Sequence, residues 1–167
     1  IDRAKGADLL VTSGGASVGE HDLVQSVLTA KGMALDFWNI AMRPGKPLMF
    51  GSLGALRVIG LPGNPVSTLV TATLFVGPAI ARMLGLKEVG PKILRARIGK
   101  DLPANDTRQD YMRAEIREDE HGLVAIPFGK QDSAMLSTLS RSGGLVIRPP
   151  HAPAVQAGSE VAVVRLG

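Results

Sequence analysis

The 167-residue sequence contains no cysteine, which removes disulfides, thiolate metal sites and a cysteine nucleophile from consideration. That absence fits a reducing, cytoplasmic setting. Aromatic residues are scarce at 4%, with one Trp and one Tyr, and the basic residues are dispersed, so neither the stacking platform nor the basic stripe of a nucleic-acid binder is present. Histidine occurs only at His21, His121 and His151, a scatter that gives no histidine-based metal spacing. No basic stretch followed by a short apolar core opens the chain, so there is no secretory signal in the sequence as it stands. The longest apolar stretch, Val66 to Leu84, is interrupted by Ser67, three threonines, Gly77-Pro78 and Arg82. It predicts a buried helix kinked at the proline and no membrane insertion.

What is present, 45% hydrophobic and 20% charged residues, suffices for one or two folded domains. A net charge of +4 and a pI near 9.8 suit an anionic partner. The chain opens at Ile1, without a methionine, and almost at once enters a buried-strand pattern; it reads as a piece of something longer.

Element types alternate in the first part. Apolar runs predict strands at Asp8 to Thr12, Leu35 to Ile40, Leu48 to Phe50 and Leu56 to Leu61, and helical spacing predicts helices at Asp22 to Ala30 and Pro65 to Leu84. This is an α/β pattern with too few strands for a complete doubly wound sheet. Gly85 to Pro91 ends the long helix and marks a boundary. Short alternating runs follow at Ile93 to Ile98, Tyr111 to Arg117, Leu123 to Pro127, Leu145 to Arg148 and Glu160 to Arg165, the texture of a small β-barrel or sandwich. A short helix fits at Ser133 to Leu139. The domains expected are 1–88 and 92–167.

Thr12-Ser13-Gly14-Gly15-Ala16-Ser17-Val18-Gly19-Glu20-His21-Asp22 lies between a buried strand and a helix, where a parallel sheet handles an anion. Glycines let the backbone approach a ligand there, and Asp22 reads either as a helix N-cap or as a functional carboxylate. Met42-Arg43-Pro44-Gly45-Lys46-Pro47 sets two cations on a proline-stiffened turn, suited to an oxyanion or simply a solvated surface turn. In Gly60-Leu61-Pro62-Gly63-Asn64-Pro65-Val66-Ser67, Asn64 and Pro65 have the order of an N-cap and first helical residue, with Ser67 in the first turn. Arg108 sits in the loop before a strand, free to reach a ligand. By alternation Arg113 shares a face with Tyr111 and Glu115, which predicts an exposed Arg113–Glu115 ion pair. The Pro149 to Pro153 stretch reads as a rigid structural loop.

These three glycine- and proline-rich motifs, in this order, resemble the molybdopterin molybdenumtransferase family, known as MoeA in bacteria and as the E domain of gephyrin in animals. The resemblance spans essentially the whole sequence. It implies the later part of a three-layer molybdopterin-binding α/β/α domain, then a small C-terminal β-barrel-like domain. It also implies insertion of molybdenum from molybdate into adenylylated molybdopterin, with release of AMP and a requirement for Mg²⁺. Carried over, Asp22 is catalytic and the Mg²⁺ ligand, while Ser13, Gly14, Gly15, Ser17, Gly19, Gly63, Asn64 and Pro65 bind the cofactor. Arg43, Lys46, Pro47, Ser67, Arg108 and Ser133 bind molybdate. A homodimer of a longer protein and a molybdopterin adenylyltransferase partner are further implications. Two features depart from the family pattern: Arg43 replaces a common lysine, and Gly143-Gly144 stands where many members carry Ala-Asn. A non-catalytic molybdopterin-binding or scaffolding module, and a molybdopterin adenylyltransferase relative, are the alternatives.

Overall fold

Of the 167 residues, the computed structural model describes 2–15, 23–132 and 139–166. A single 3-10 turn at Asp2–Ala4 leads into β1 (Leu9–Ser13), α1 (Leu23–Ala30), β2 (Ala34–Trp38), the two-residue β3 (Met42–Arg43), β4 (Met49–Leu53) and β5 (Leu56–Leu61). Four of these strands form a mixed sheet in the order β1-β5-β4-β2. β1 and β5 run parallel, whereas β4 is antiparallel to both β5 and β2.

Alternation along these strands sends apolar side chains to both faces. Leu10, Val58 and Met49 pack with Leu28 of α1 on one side. Leu9, Ile59 and Phe50 meet Ala72, Phe75 and Ala79 of the second helical segment on the other. Cover on both faces explains why β1 and β5 read as nearly continuous apolar runs, and it gives the α/β/α layering.

That second segment begins as α2 (Pro65–Thr71), passes through a π-helical turn at Ala72–Val76 and continues as α3 (Gly77–Met83). Pro78 has no N–H to donate to the preceding turn, and the widened turn, closed by Gly77 N–H to the Ala72 carbonyl, absorbs the mismatch. Burial is confined to one side of the first two turns: Val66, Ser67, Val70 and Thr71 are buried, whereas Leu69, Ile80 and Met83 are exposed. The helix is therefore less buried than its composition predicts. By length and composition alone, Pro65–Met83 is long and apolar enough to cross a membrane. The end of α3 follows from Gly85 at φ +71°, with Leu86 N–H bonded to the Ala81 carbonyl at 3.0 Å and Gly85 N–H to that of Arg82 at 3.1 Å.

β6 (Ile93–Ile98), β7 (Gln109–Asp119), β8 (Gly122–Pro127), β9 (Gly144–Arg148) and β10 (Glu160–Arg165) pair in the order β7-β8-β6-β10-β9, and β9 returns to β7. The result is a closed five-stranded barrel. Its interior is filled largely by small and branched side chains, among them Ala96, Ile98, Ala114, Ala125, Val146 and Val163. At Gly144 a Cβ would lie 2.6 Å from Val163 Cγ1 and 3.0 Å from the Val164 carbonyl, so a larger residue has no room in this packing. Most of the helix expected at Ser133 to Leu139 lies outside the described residues.

β3 is absent from the sequence reading because two residues carry no alternating pattern. It pairs in parallel with β7, Met42 opposite Gln109 and Arg43 opposite Asp110, and so extends the barrel sheet from within the first part of the chain. Met42, Val66 and Val70 pack with Leu145 and Val164, which fastens α2 to the barrel.

Arg113 is not an exposed partner of Glu115. It is 1% exposed, because the chain after β8 folds back over it. Phe128 N–H donates to the Arg113 carbonyl at 3.1 Å, Gln131 bonds both main-chain groups of Arg113 at 3.0 Å, and Arg113 Nη2 donates to the Asp132 carbonyl at 2.8 Å. Burial lowers the Arg113 pKa, with the Asp132 charge opposing that shift. Glu115 pairs instead with Arg117 at 2.9 Å.

Candidate functional site

The carboxyl ends of β1 and β5 lie side by side and parallel, the place where open α/β sheets take ligands. Ser13 ends β1, and Gly14 N–H donates to the Leu61 carbonyl at the end of β5 at 3.1 Å. The two glycine turns are in close approach, since a Cβ on Gly63 would lie 3.3 Å from Gly14 Cα. Asn64 caps α2, its Oδ1 accepting from Val66 N–H at 3.2 Å, and Pro65 occupies the first turn. Ser13, Gly14, Gly15, Gly63, Asn64 and Pro65 are thus gathered at one edge of the sheet. Ser17, Gly19 and Asp22 fall outside the described residues.

The loop between β3 and β4 fixes the backbone of Lys46, whose carbonyl accepts from Ile40 N–H and Leu48 N–H, both at 2.9 Å. Gly45, at φ +112°, lies against α2, where an added Cβ would come within 2.5 Å of Thr71 Cγ2. Lys46 and Arg108 line one cavity of about 500 Å³, together with Asn39, Ala41 and Asp106. One wall comes from the α/β part and the other from the loop before β7.

Arg43 does not line that cavity, although it shares the Asp106 carboxylate with Arg108. It lines a neighbouring cleft of about 450 Å³ with Asp106, Asp110, Tyr111 and Arg148, and its guanidinium is held by Asp110 at 2.5 Å and Asp106 at 3.2 Å. The hydrogen bond that Arg43 donates to Asp110 is the main reason the Arg43 pKa is raised. Pro47 lies half-buried beside Lys46 in the β3–β4 loop. Ser67 is 6% exposed inside α2, its carbonyl accepting from Thr71 Oγ1 at 2.7 Å, and it lines neither cavity. Ser133 lies outside the described residues. Arg108 is less free than its loop position predicts, since Asp106 Oδ2 holds its Nη2 at 3.3 Å.

Asp106 and Asp110 are the residues sequence reasoning misses. The signal for Asp106 was local: its Oδ1 accepts from Arg108 N–H two residues on, at 2.8 Å, the Asx-turn geometry that an Asp-x-Arg loop favours. Its backbone is fixed by the proline loop, where His151 N–H donates to the Asp106 carbonyl at 2.8 Å and Asn105 Nδ2 bonds the Arg148 and Pro149 carbonyls at 2.9 and 2.8 Å. Pro149 to Pro153 therefore has the structural role its composition predicts.

No cluster of three or more His, Asp or Glu side chains able to hold a metal occurs among the described residues. The carboxylate in the Lys46 cavity, Asp106, already has both oxygens engaged by Arg43 and Arg108. These residues do not compose a Mg²⁺ site.

An α/β layer with glycine turns at parallel strand ends, joined to a β-barrel across a cavity lined by Lys46 and Arg108, defines an α/β protein with an appended barrel and a two-cation cavity at their junction. Residues 1–82 match the family model described as a probable molybdopterin binding domain, and residues 95–166 match that of the MoeA C-terminal region, domain IV. The chain belongs to the MoeA molybdopterin molybdenumtransferase family. It is 38% identical over 159 residues to the molybdopterin molybdenumtransferase of Haemophilus influenzae, covering 94% of this chain and 39% of that one. It is 31% identical over 191 residues to gephyrin of Dictyostelium discoideum, covering 100% of this chain and 26% of that one. The crystal structure of a molybdopterin biosynthesis MoeA protein from Pyrococcus horikosii superposes with a TM-score of 0.79 at 29% identity, covering 98% of this chain and 38% of that one. The chain thus spans well under half the length of these relatives.

Proposed function

We propose that this chain supplies the oxyanion cavity and the cofactor crevice of a protein that inserts molybdenum from molybdate into adenylylated molybdopterin and releases AMP. The observation that carries this reading is the meeting of Lys46 and Arg108, 62 residues apart in sequence, on one cavity beside the sheet that bears the glycine turns. α2 links the two places, because its N-terminus starts at the crevice and its Thr71 packs against Gly45 of the cation loop.

Each residue has a role that its chemistry suits. Gly14, Gly15 and Gly63 keep the strand ends open to close approach by a phosphate-bearing ligand, and Ser13 offers a hydroxyl donor. Lys46 brings a compact point charge and Arg108 a planar fork, a pair that can hold a tetrahedral oxyanion from two sides. Pro47 stiffens the turn that presents Lys46. Asp22 is assigned the acidic role at the reacting phosphate, and the magnesium implied by family resemblance is left to Asp22 and the substrate's phosphates. Arg43, with its charge matched by Asp106 and Asp110, ties β3 to the barrel. A cytoplasmic setting, a homodimer and an adenylyltransferase partner belong to the same reading, as do domains at 1–88 and 92–167.

The test uses the full protein with adenylylated molybdopterin and molybdate, measuring AMP release and molybdate affinity. Lys46→Ala and Arg108→Ala are expected to weaken molybdate binding about tenfold or more, Asp22→Ala to abolish AMP release, and Arg43→Ala to leave molybdate affinity within about twofold. Normal turnover by the Asp22 variant, or unchanged molybdate affinity in the Lys46 variant, overturns these assignments. Tight molybdopterin binding with no insertion would select the binding-module alternative.

A further inference from the structure

Among the described residues lining the Lys46 cavity, Asp106 is the single acidic one, and it also lines the neighbouring Arg43 cleft. Its Oδ2 lies 3.3 Å from Arg108 Nη2 and 3.2 Å from Arg43 Nη1, while its Oδ1 receives Arg108 N–H at 2.8 Å. A carboxylate in this place occupies the cation that an incoming oxyanion needs. The pair is not sealed, since the Arg108 and Asp106 side chains are 38% and 45% exposed. An anion from solvent can therefore compete for the guanidinium.

We propose that Asp106 is a latch on Arg108: in the empty cavity it holds the guanidinium, and an oxyanion binds by taking Arg108 from it, which keeps affinity low and release easy. This rests on the reading of the Lys46 cavity as an oxyanion site. The role suits a substrate anion that must be handed on, since a site with two unopposed cations would retain it. Asp106 acts through Arg108 and is a positioning residue. The main-chain hydrogen bond from Arg108 also lowers the Asp106 pKa, so the latch stays charged at neutral pH.

Asp106→Asn keeps an oxygen for the Arg108 N–H and removes the charge; Asp106→Ser keeps a shorter acceptor for the same N–H. The control is Asp119→Asn. Asp119 also binds an arginine, Arg97 at 2.5 Å, and a main-chain N–H two residues on, that of His121 at 2.9 Å, but it lines neither cavity. It makes the same change in net charge. Molybdate titrated into the full protein by calorimetry is expected to bind both Asp106 variants about three- to tenfold more tightly than wild type, and Asp119→Asn as wild type does. In an Arg108→Ala background the gain from Asp106→Asn is expected to shrink below about twofold, because Asp106 then holds only Arg43, which does not line the Lys46 cavity. A purely structural Asp106 would give weaker binding in these variants. Unchanged or weaker binding, an equal gain in Asp119→Asn, or a gain that persists without Arg108 overturns the latch. If wild type binds molybdate through Lys46 and the Asp106 variants show no gain, the latch alone falls; if neither wild type nor the variants bind molybdate, the oxyanion reading falls with it.

Discussion

At the scale of single residues, two glycines at positive φ carry different constraints. Gly45 and Gly85 both lie at positive φ, but a Cβ on Gly45 would strike Thr71 at 2.5 Å whereas one on Gly85 would meet nothing within 4 Å. Gly85→Ala is therefore expected to cost only the backbone strain, about 1 kcal/mol, and Gly45→Ala about 3 kcal/mol once the clash with α2 is added. Urea denaturation of both variants checks the ordering, and equal losses would contradict it. Sequence was a partial guide at this scale. Gly45 and Lys46 were legible as a stiffened cationic turn, but the neutralisation of Arg43 was not, because Asp106 and Asp110 reach it from more than 60 residues away. Arg113 was misread for a related reason. Alternation along β7 says which residues share a face, and cannot say that the chain beyond β8 returns to cover Arg113.

Among the elements, β5, β6 and β10 matched their predicted bounds and the other predicted strands lay within a residue or two of theirs, except β4, which runs to Leu53, three residues beyond the predicted Phe50. β3 was missed because its identity lies wholly in its partner. The proline-bearing helix was legible as a helix with an interruption, though a kink at Pro78 was resolved into a π turn just before it. At the start of α2 the cap was readable from Asn64-Pro65 alone. Asn64→Ala is expected to lower stability by about 1 kcal/mol, and Asn64→Asp, which keeps the acceptor oxygen, to recover most of the loss. Thermal melting of the two variants tests this, and a cost for both would point to a role of the amide beyond the cap.

For the molecule as a whole, acid sensitivity follows from three arginine-bound carboxylates. Asp106, Glu115 and Asp119 all have lowered pKa values, caused chiefly by hydrogen bonds from Arg108 N–H, the Arg117 side chain and the Arg97 side chain respectively. A carboxylate whose folded pKa is depressed contributes stability above its unfolded pKa, and that contribution is lost as pH falls through the folded value. The unfolding midpoint should stay level down to about pH 5 and decline below about pH 4.5, with a shallower decline in the triple variant Asp106→Asn, Glu115→Gln, Asp119→Asn. A profile identical to wild type in the triple variant would remove these pairs from the account. The α/β class and the barrel were legible from the change of texture at Pro91. How the two parts meet was not, because that depends on β3 and on the α2 contact with Leu145 and Val164.

The two-residue addition of β3 to β7 works as a gauge. Lys46 follows β3 by three residues and Arg108 precedes β7 by one, so the pairing of Met42 with Gln109 sets how far apart the two cations stand. The connection from Gly85 to Lys92 has no such hold on them. Its length and sequence can drift among relatives while the separation of the cations stays fixed, whereas a slip of one residue between β3 and β7 would miscalibrate it.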